Sequence, residues 1–236
     1  MPPTRHIVVL GGGGFLVDPH DTRLDDYALR LTRKRKPRVC FISTASGDNP
    51  FNIERFHRAF RARAVPSHLH LFRREHDTRS LADYLAGQDL IYVGGGNTAN
   101  ALALWRLHGI DRLLRRAWNA GVVLTGVSAG MICWFRGGVT DSFGRPLSAL
   151  PDGLGLLPGS ACPHYDGESD RRDVYHRAML RRDLPPGVAA DDWAAIHFIG
   201  RRIHCAVASR QNARAYTVRL VRARVVETPM DTRLLK

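Results

Sequence analysis

The pentapeptide Gly126-Val127-Ser128-Ala129-Gly130 has the G-x-S-x-G spacing of a serine nucleophile at a sharp turn between a strand and a helix. An apolar strand pattern over residues 122–127 precedes the serine, and the residues that follow are compatible with a helix. Glycines permit the close backbone contacts that such a strained turn requires. The motif predicts acyl-transfer chemistry at Ser128, with the amide of Ala129 as an oxyanion donor at the helix N-terminus. The alternative is a turn of small residues with an idle hydroxyl.

A second glycine turn, Gly94-Gly95-Gly96-Asn97, also follows an apolar strand pattern. In a parallel sheet this turn emerges at the same carboxyl edge as Ser128, where ligands bind in open α/β folds. The amide of Gly95 or Gly96 is therefore a candidate for the second oxyanion donor. Dinucleotide binding is the alternative, since the turn and Ala99 match G-x-G-x-x-A. No carboxylate lies near the offset of about 20 residues that a ribose contact requires.

A catalytic serine needs a base, which must come from one of the 11 histidines. His164 is the best candidate, because it follows the Ser128 turn in an irregular segment that Pro163 fixes. His197 and His204 lie in strand patterns and are expected to be packed. The spacing does not choose the orienting carboxylate among five downstream candidates: Asp141, Asp166, Glu168, Asp191 and Asp192. A metal site formed by Cys162, His164, Asp166 and Glu168 lacks a regular ligand spacing, so no metal is expected.

The elements that must position these residues alternate between short apolar strands and amphipathic helices, which predicts an α/β fold with a mostly parallel sheet. Strands are predicted at residues 6–10, 39–43, 69–72, 89–93 and 122–127. Helices are predicted at residues 24–32, 53–60, 81–85, 99–107 and 110–118. Later in the chain, only residues 175–180 have a helical pattern. Strand patterns at residues 194–198, 203–208 and 215–221 have no helices between them, which predicts an antiparallel extension at one sheet edge.

Composition indicates an ordinary globular protein, expected to form a single domain over residues 1–236. With 44% hydrophobic and 24% charged residues, the chain is neither disordered nor collagen-like nor rich in disulfides. The formal charge is +13, but nearly all cations are arginines scattered among carboxylates, and the cluster at residues 33–38 is expected to be a solvated loop. Basic and aromatic residues do not interleave, so no nucleic-acid partner is expected.

The same composition argues against a membrane or secreted location. The four cysteines are widely spaced without a C-x-x-C pair, which predicts reduced thiols and a cytoplasmic protein. The longest uncharged stretch, residues 122–135, is shorter than the ~20 residues of a membrane helix, so no membrane partner is expected.

Taken together, the motifs resemble those of the peptidase E (aspartyl dipeptidase) family of serine peptidases, distant relatives of cyanophycinase. The resemblance covers nearly the whole chain and is carried by five segments: Gly11 to Gly14, Tyr92 to Thr98, Gly126 to Gly130, Thr140 to Ser142, and Pro163-His164. It implies a three-layer sandwich with a mostly parallel central sheet, like the class I glutamine amidotransferases, with a serine in place of their elbow cysteine. It also implies hydrolysis of short peptides that begin with aspartate.

By the same resemblance, Ser128 matches the nucleophile and His164 the histidine of the family. The acid matches Asp192, where the family's dipeptidases carry glutamate, and Asp141 is the alternative. The chain departs from the best-known dipeptidases between residues 141 and 164 and at residues 165–168, which we expect to border the substrate pocket.

Substrate-binding residues are predicted from the charges that a peptide beginning with aspartate presents. Arg171 and Arg172 are candidates for binding its carboxylate, although they could instead cap a helix. Asp166 and Glu168 are candidates for its amine, and Asn97 is a further predicted contact. The expected enzyme is a monomer or homodimer that needs no cofactor. A glutamine amidotransferase-like enzyme and a non-catalytic small-molecule binding protein are the alternative functions on this fold.

Overall fold

The computed structural model describes residues 3–72 and 80–236, and within them the chain forms two β-sheets and seven α-helices. The strands are β1 (His6–Leu10), β2 (Arg38–Ile42), β3 (Val65–Leu69), β4 (Leu90–Val93), β5 (Val123–Val127), β6 (Gly137–Thr140), β7 (Ser148–Leu150), β8 (Ser160–Cys162), β9 (Gly187–Ala190), β10 (Ala194–Ile199), β11 (Arg202–Ala208), β12 (Ala215–Val221), β13 (Arg224–Pro229) and β14 (Thr232–Leu234). The helices are α1 (Arg23–Arg30), α2 (Pro50–Phe60), α3 (Leu81–Ala86), α4 (Thr98–His108), α5 (Ile110–Asn119), α6 (Ala129–Ile132) and α7 (Arg171–Leu180).

The main sheet has eight strands in the order β14-β11-β10-β1-β5-β4-β2-β3. The five strands from β1 to β3 are mutually parallel, whereas β10 is antiparallel to β1, and β11 is antiparallel to β10. The antiparallel extension predicted for residues 194–198 and 203–208 is therefore confirmed. The strand predicted at residues 215–221 is present as β12, but its placement at the edge of the main sheet was wrong, because β12 pairs with β9 and β13 in the second sheet.

Helices cover both faces of the main sheet, which explains why its central strands β1, β5 and β4 are buried along their whole length and mostly apolar. Val8, Phe41 and Tyr92 face one side, in a core that includes residues of α1 and α2. Val9 and Ile91 face the other side, in a core with residues of α3, α4 and α5. Burial on both faces fixes the strand register, and hence the edge at which the loops after β1, β4 and β5 emerge.

The second sheet, in the order β13-β12-β9-β8-β6-β7, was not predicted. Strands β8 and β9 are parallel neighbours, with Cys162 opposite Ala189. Because parallel neighbours end at the same edge, the segments that follow these two strands emerge side by side. Those segments contain His164 and Asp192, two residues beyond the ends of their strands.

Two other predicted boundaries were displaced. The third strand is Val65–Leu69 rather than residues 69–72, because the chain leaves the sheet after Leu69 and the amides of Leu71 and Phe72 donate to Asp48 Oδ2. The helix predicted at residues 175–180 begins at Arg171 instead, and its start was missed because its first turn contains few apolar residues and so shows no helical pattern in the sequence. No helix in residues 3–72 and 80–236 is long and apolar enough to cross a bilayer.

Candidate active site

Ser128 lies at a sharp turn between β5 and α6, with φ of 58° and ψ of −112°. A Cβ on Gly126 would lie 2.5 Å from the carbonyl oxygen of Gly130, and one on Gly130 would lie 2.2 Å from that of Val93. Both distances are too short for any side chain, so the two glycines of the motif are required by backbone packing. Ala129 is the first residue of α6, and an amide at that position has no acceptor within its own helix.

The loop after β4 lies directly against Ser128, since β4 and β5 are paired neighbours. A Cβ on Gly95 would lie 3.3 Å from Ser128 Cβ. Gly96 has φ of +129°, and a Cβ there would lie 2.2 Å from the carbonyl oxygen of Ala45. This glycine turn therefore brings backbone amides beside the serine, as an oxyanion site requires.

His164 and Asp192 are joined by a side-chain hydrogen bond, with Nδ1 and Oδ1 separated by 2.6 Å. The backbone of His164 has a positive φ of 51°, and its amide donates to Gly11 O at 3.3 Å. The amide of Asp192 donates to Asp166 Oδ1 at 2.8 Å. Both members of the pair are thus held through their backbone as well as their side chains.

Two glycines that were not singled out individually from the sequence pack against this pair. A Cβ on Gly12 would lie 1.9 Å from Asp192 Oδ1 and 2.9 Å from His164 Nδ1. A Cβ on Gly167 would lie 2.5 Å from Asp192 Oδ2. Gly12 also forms an isolated β-bridge with Asp192. The glycine run at residues 11–14 was the available signal, but its target was not evident without coordinates.

Ser128 and His164 line the same cavity, which has a volume of about 440 Å³. The other residues that line it are Gly96, Asn97, Asp141, Glu168 and Arg171. Among the described residues, no hydrogen bond joins the Ser128 hydroxyl to the His164 ring. The lining is mostly polar and carries both signs of charge, which suits a small zwitterionic or charged ligand better than an apolar one.

Arg171 and Arg172 are adjacent in the chain but have different environments. Arg171 is only 3% exposed, and its guanidinium donates to Glu168 Oε1 at 3.0 Å and to Val139 O at 3.1 Å. Its Nε has no partner among the described residues. Arg172 lies outside the cavity lining, where its guanidinium covers the ring of Tyr165 at 4.6 Å. Only Arg171 is therefore positioned to meet a ligand in the cavity.

The other predicted binding residues have structural contacts of their own. Asn97 caps α4 by accepting from the Asn100 amide, and its Nδ2 donates to Ser142 O at 2.9 Å. Glu168 contacts Arg145 at 3.0 Å in addition to Arg171. Asp166 Oδ1 accepts a hydrogen bond from the Asp192 amide, so the Asp166 carboxylate holds the loop that carries Asp192, the partner of His164.

The remaining carboxylates do not contact the His164 ring. Asp141 lines the cavity but is exposed. Asp191 turns away and accepts from the Arg214 amide at 2.9 Å. Burial, with the charge of Asp166 as a smaller cause, raises the pKa of Asp191 to about 6.

Burial also raises the pKa of Cys162 to about 12, which disfavours the thiolate that a metal ligand at this position would need.

Comparison with known proteins adds a family relationship to this geometry. The model of peptidase family S51 matches residues 7–206. The "Uncharacterized peptidase YgaJ" of Bacillus subtilis (strain 168) is 47% identical over 232 residues, covering 98% of this chain and 99% of that protein.

Two solved structures share the fold. A crystal structure of a peptidase from an acI-B1 Actinobacterium superposes with a TM-score of 0.68 at 18% identity, covering 97% of this chain and 95% of that one. A putative peptidase E protein from Listeria monocytogenes EGD-e superposes with a TM-score of 0.60 at 20% identity, covering 85% of this chain and 97% of that one.

Proposed function

This chain belongs to peptidase family S51 and is a serine-type peptidase, and from this premise we propose that it hydrolyses short peptides, dipeptides with N-terminal aspartate above all, through a Ser128-His164-Asp192 triad. The observation that carries the proposal is the 2.6 Å contact between His164 and Asp192 beside a cavity that Ser128 also lines. Helices on both faces of the main sheet support the further proposal of a three-layer fold like that of the class I glutamine amidotransferases.

In the proposed mechanism, the Ser128 hydroxyl attacks the peptide carbonyl carbon, and His164 Nε2 accepts the hydroxyl proton. Asp192 accepts a hydrogen bond from Nδ1–H, which fixes the ring tautomer and stabilises the imidazolium that forms. His164 then protonates the leaving amine, which departs and leaves an acyl-enzyme. Water, activated by the same ring, releases the product acid and regenerates the serine. The contact between serine and histidine is expected to tighten when substrate binds, as in other enzymes.

The oxyanion of each tetrahedral intermediate would be held by two backbone amides, that of Ala129 and that of Gly95 or Gly96. The Ala129 amide is supported by its place at the start of α6, Gly95 by the packing of its backbone against Ser128, and Gly96 by lining the same cavity as Ser128. One such donor contributes roughly a hundredfold or more to the rate of acyl transfer.

Arg171 supports the preference for an acidic first residue. Arg171 lines the cavity, its side chain is buried, and its Nε has no hydrogen-bond partner among the described residues. A carboxylate is the group that a guanidinium binds best. Glu168, rather than Asp166, is the acceptor we propose for the substrate amine, because it lines the same cavity. The cavity volume of about 440 Å³ suits a ligand of dipeptide size.

A dipeptide library screened with the wild type and with Ser128→Ala tests the substrate class. We expect cleavage confined to peptides with an acidic first residue, and no cleavage by Ser128→Ala. Arg171→Ala should raise KM for those peptides by about 30-fold or more, since loss of one partner of a buried charge pair costs about 2 kcal/mol or more. Arg172→Ala is the matched control and should leave KM unchanged. Cleavage without regard to the first residue, or equal effects of both substitutions, would refute the specificity.

A further inference from the structure

Three side chains with metal-binding atoms converge on the antiparallel side of the main sheet. They are His197 on β10 and His204 and Cys205 on β11, and one donor atom of each lies within 4.8 Å of the others. His197 is buried, Cys205 is half-buried and His204 is exposed, so the cluster opens to solvent from one side. None of the three lines the cavity that contains Ser128. The cluster therefore needs an explanation apart from the peptidase reaction.

A β-bulge brings the two neighbouring residues of β11 to the same place. In a regular strand, His204 and Cys205 would point to opposite faces of the sheet. Here Cys205 pairs with His197 and Ile203 pairs with Phe198, which leaves His204 as the extra residue of a bulge. Its ring lies against that of His197, with centroids 5.1 Å apart. Bulges of this kind re-aim a side chain, often at functional sites.

The Tyr27 hydroxyl links the His197 ring to Cys205. His197 Nε2 lies 2.9 Å from His6 Nδ1, and its Nδ1 lies 2.8 Å from the Tyr27 hydroxyl, which in turn lies 3.3 Å from Cys205 Sγ. When Nε2–H donates to His6, the Nδ1 lone pair accepts from the Tyr27 hydroxyl, which lies beside the sulfur, so a metal ion bound at Nδ1 would take the place of that hydroxyl proton. Histidines that bind metals usually donate their other ring N–H in this way.

We propose that His197, His204 and Cys205 form a binding site for a Zn²⁺ ion, with His6 as the hydrogen-bond partner that orients His197. Two imidazoles and a thiolate are a ligand set that Zn²⁺ favours, with a water or the Tyr27 hydroxyl as fourth ligand. Tetrahedral Zn²⁺ requires donor atoms about 3.4–3.6 Å apart, so the cluster must contract by roughly 1 Å. The exposed His204 ring can supply most of this movement by rotation. The bound ion would join β10 to β11.

Titration with Co²⁺ tests the site, because Co²⁺ replaces Zn²⁺ and its thiolate complexes absorb in the near ultraviolet. Chelator-treated protein is titrated with Co²⁺, and Zn²⁺ is then added to displace it. We expect a thiolate-to-cobalt band that saturates at about one equivalent of Co²⁺ and disappears on addition of Zn²⁺. Cys205→Ser should abolish the band, and His204→Ala should weaken Co²⁺ binding by about tenfold or more.

The exposed His20, which lies outside the cluster, provides the matched control, and His20→Ala should bind Co²⁺ like the wild type. Circular dichroism of each variant establishes that it is folded. Absence of the band in folded wild-type protein, or a band of unchanged strength and affinity in Cys205→Ser or His204→Ala, would overturn the proposal.

Discussion

The substitution Gly12→Ala should disable the proposed His164–Asp192 pair without replacing either residue. The added Cβ would lie 1.9 Å from Asp192 Oδ1, whereas such contacts are essentially never shorter than 3.0 Å, so the carboxylate must move by about 1 Å. The same Cβ would lie 2.9 Å from His164 Nδ1, so the ring cannot simply follow the carboxylate. A misplacement of about 1 Å in a catalytic group can reduce the rate by about 100-fold. We therefore expect a loss of about that size.

The rate at which a fluorophosphonate labels Ser128 measures this effect without assuming any peptide substrate. Gly87→Ala is the matched control, because Gly87 has an ordinary φ of −79° and its added Cβ would have no neighbour nearer than 3.2 Å. Thermal unfolding of both variants establishes that they are folded. A folded Gly12→Ala protein that is labelled within about threefold of the wild-type rate would show that Asp192 and Gly12 do not govern the reactivity of Ser128.

Two further substitutions test the electrostatics of the site and of the core. Asp192→Asn should lower kcat by about 10⁴-fold, because an amide in place of the carboxylate favours the wrong tautomer of His164. Asp141→Asn is the control and should change kcat little. Equal losses of kcat in steady-state assays of the two variants would refute the proposal that Asp192 is the carboxylate that orients His164. Burial raises the pKa of Asp25 to about 7, so the folded state retains a proton that the unfolded state loses near pH 4. Between pH 4 and pH 8, the free energy of unfolding of the wild type, minus that of Asp25→Asn, should therefore fall by on the order of 3 to 4 kcal/mol. Urea unfolding of both proteins measures this difference, and a difference that does not change with pH would refute the prediction.

The position of Ser128 at the turn between β5 and α6 was predictable from the sequence because its signals are local. Strands β1, β4 and β5 are buried throughout and mostly apolar, since the main sheet is covered on both faces. Glycines directly after β4 and β5 mark the turns, and parallel strands deliver such turns to one edge. The contact between Gly95 and the side chain of Ser128 follows from these features alone.

The pairing of His164 with Asp192 has no comparable local signal. It depends on β8 and β9, which have three and four residues and consist of small side chains, with one cysteine and one valine. Segments this short and weakly apolar show no periodicity that would distinguish them from loops. The residues alone therefore left five carboxylates open, and only the resemblance to peptidase E favoured Asp192.

The difference between Arg171 and Arg172 was also hidden in the sequence. Successive residues on a helix point about 100° apart, so one faces the cavity while the next lies over Tyr165. The helix start was misplaced by four residues because its first turn is polar, and without that start the two directions cannot be assigned. His204, expected to be packed, is exposed, as are residues 201–203 before it, and it is the extra residue of the bulge in β11.

The most direct measurement of the central claim is mass-spectrometric mapping of the residue that a fluorophosphonate modifies. We expect a single modified residue, Ser128, with no modification in Ser128→Ala and labelling slowed by several orders of magnitude in His164→Ala. Modification of a different serine, unchanged labelling in His164→Ala, or no modification in folded protein that cleaves peptides would contradict it.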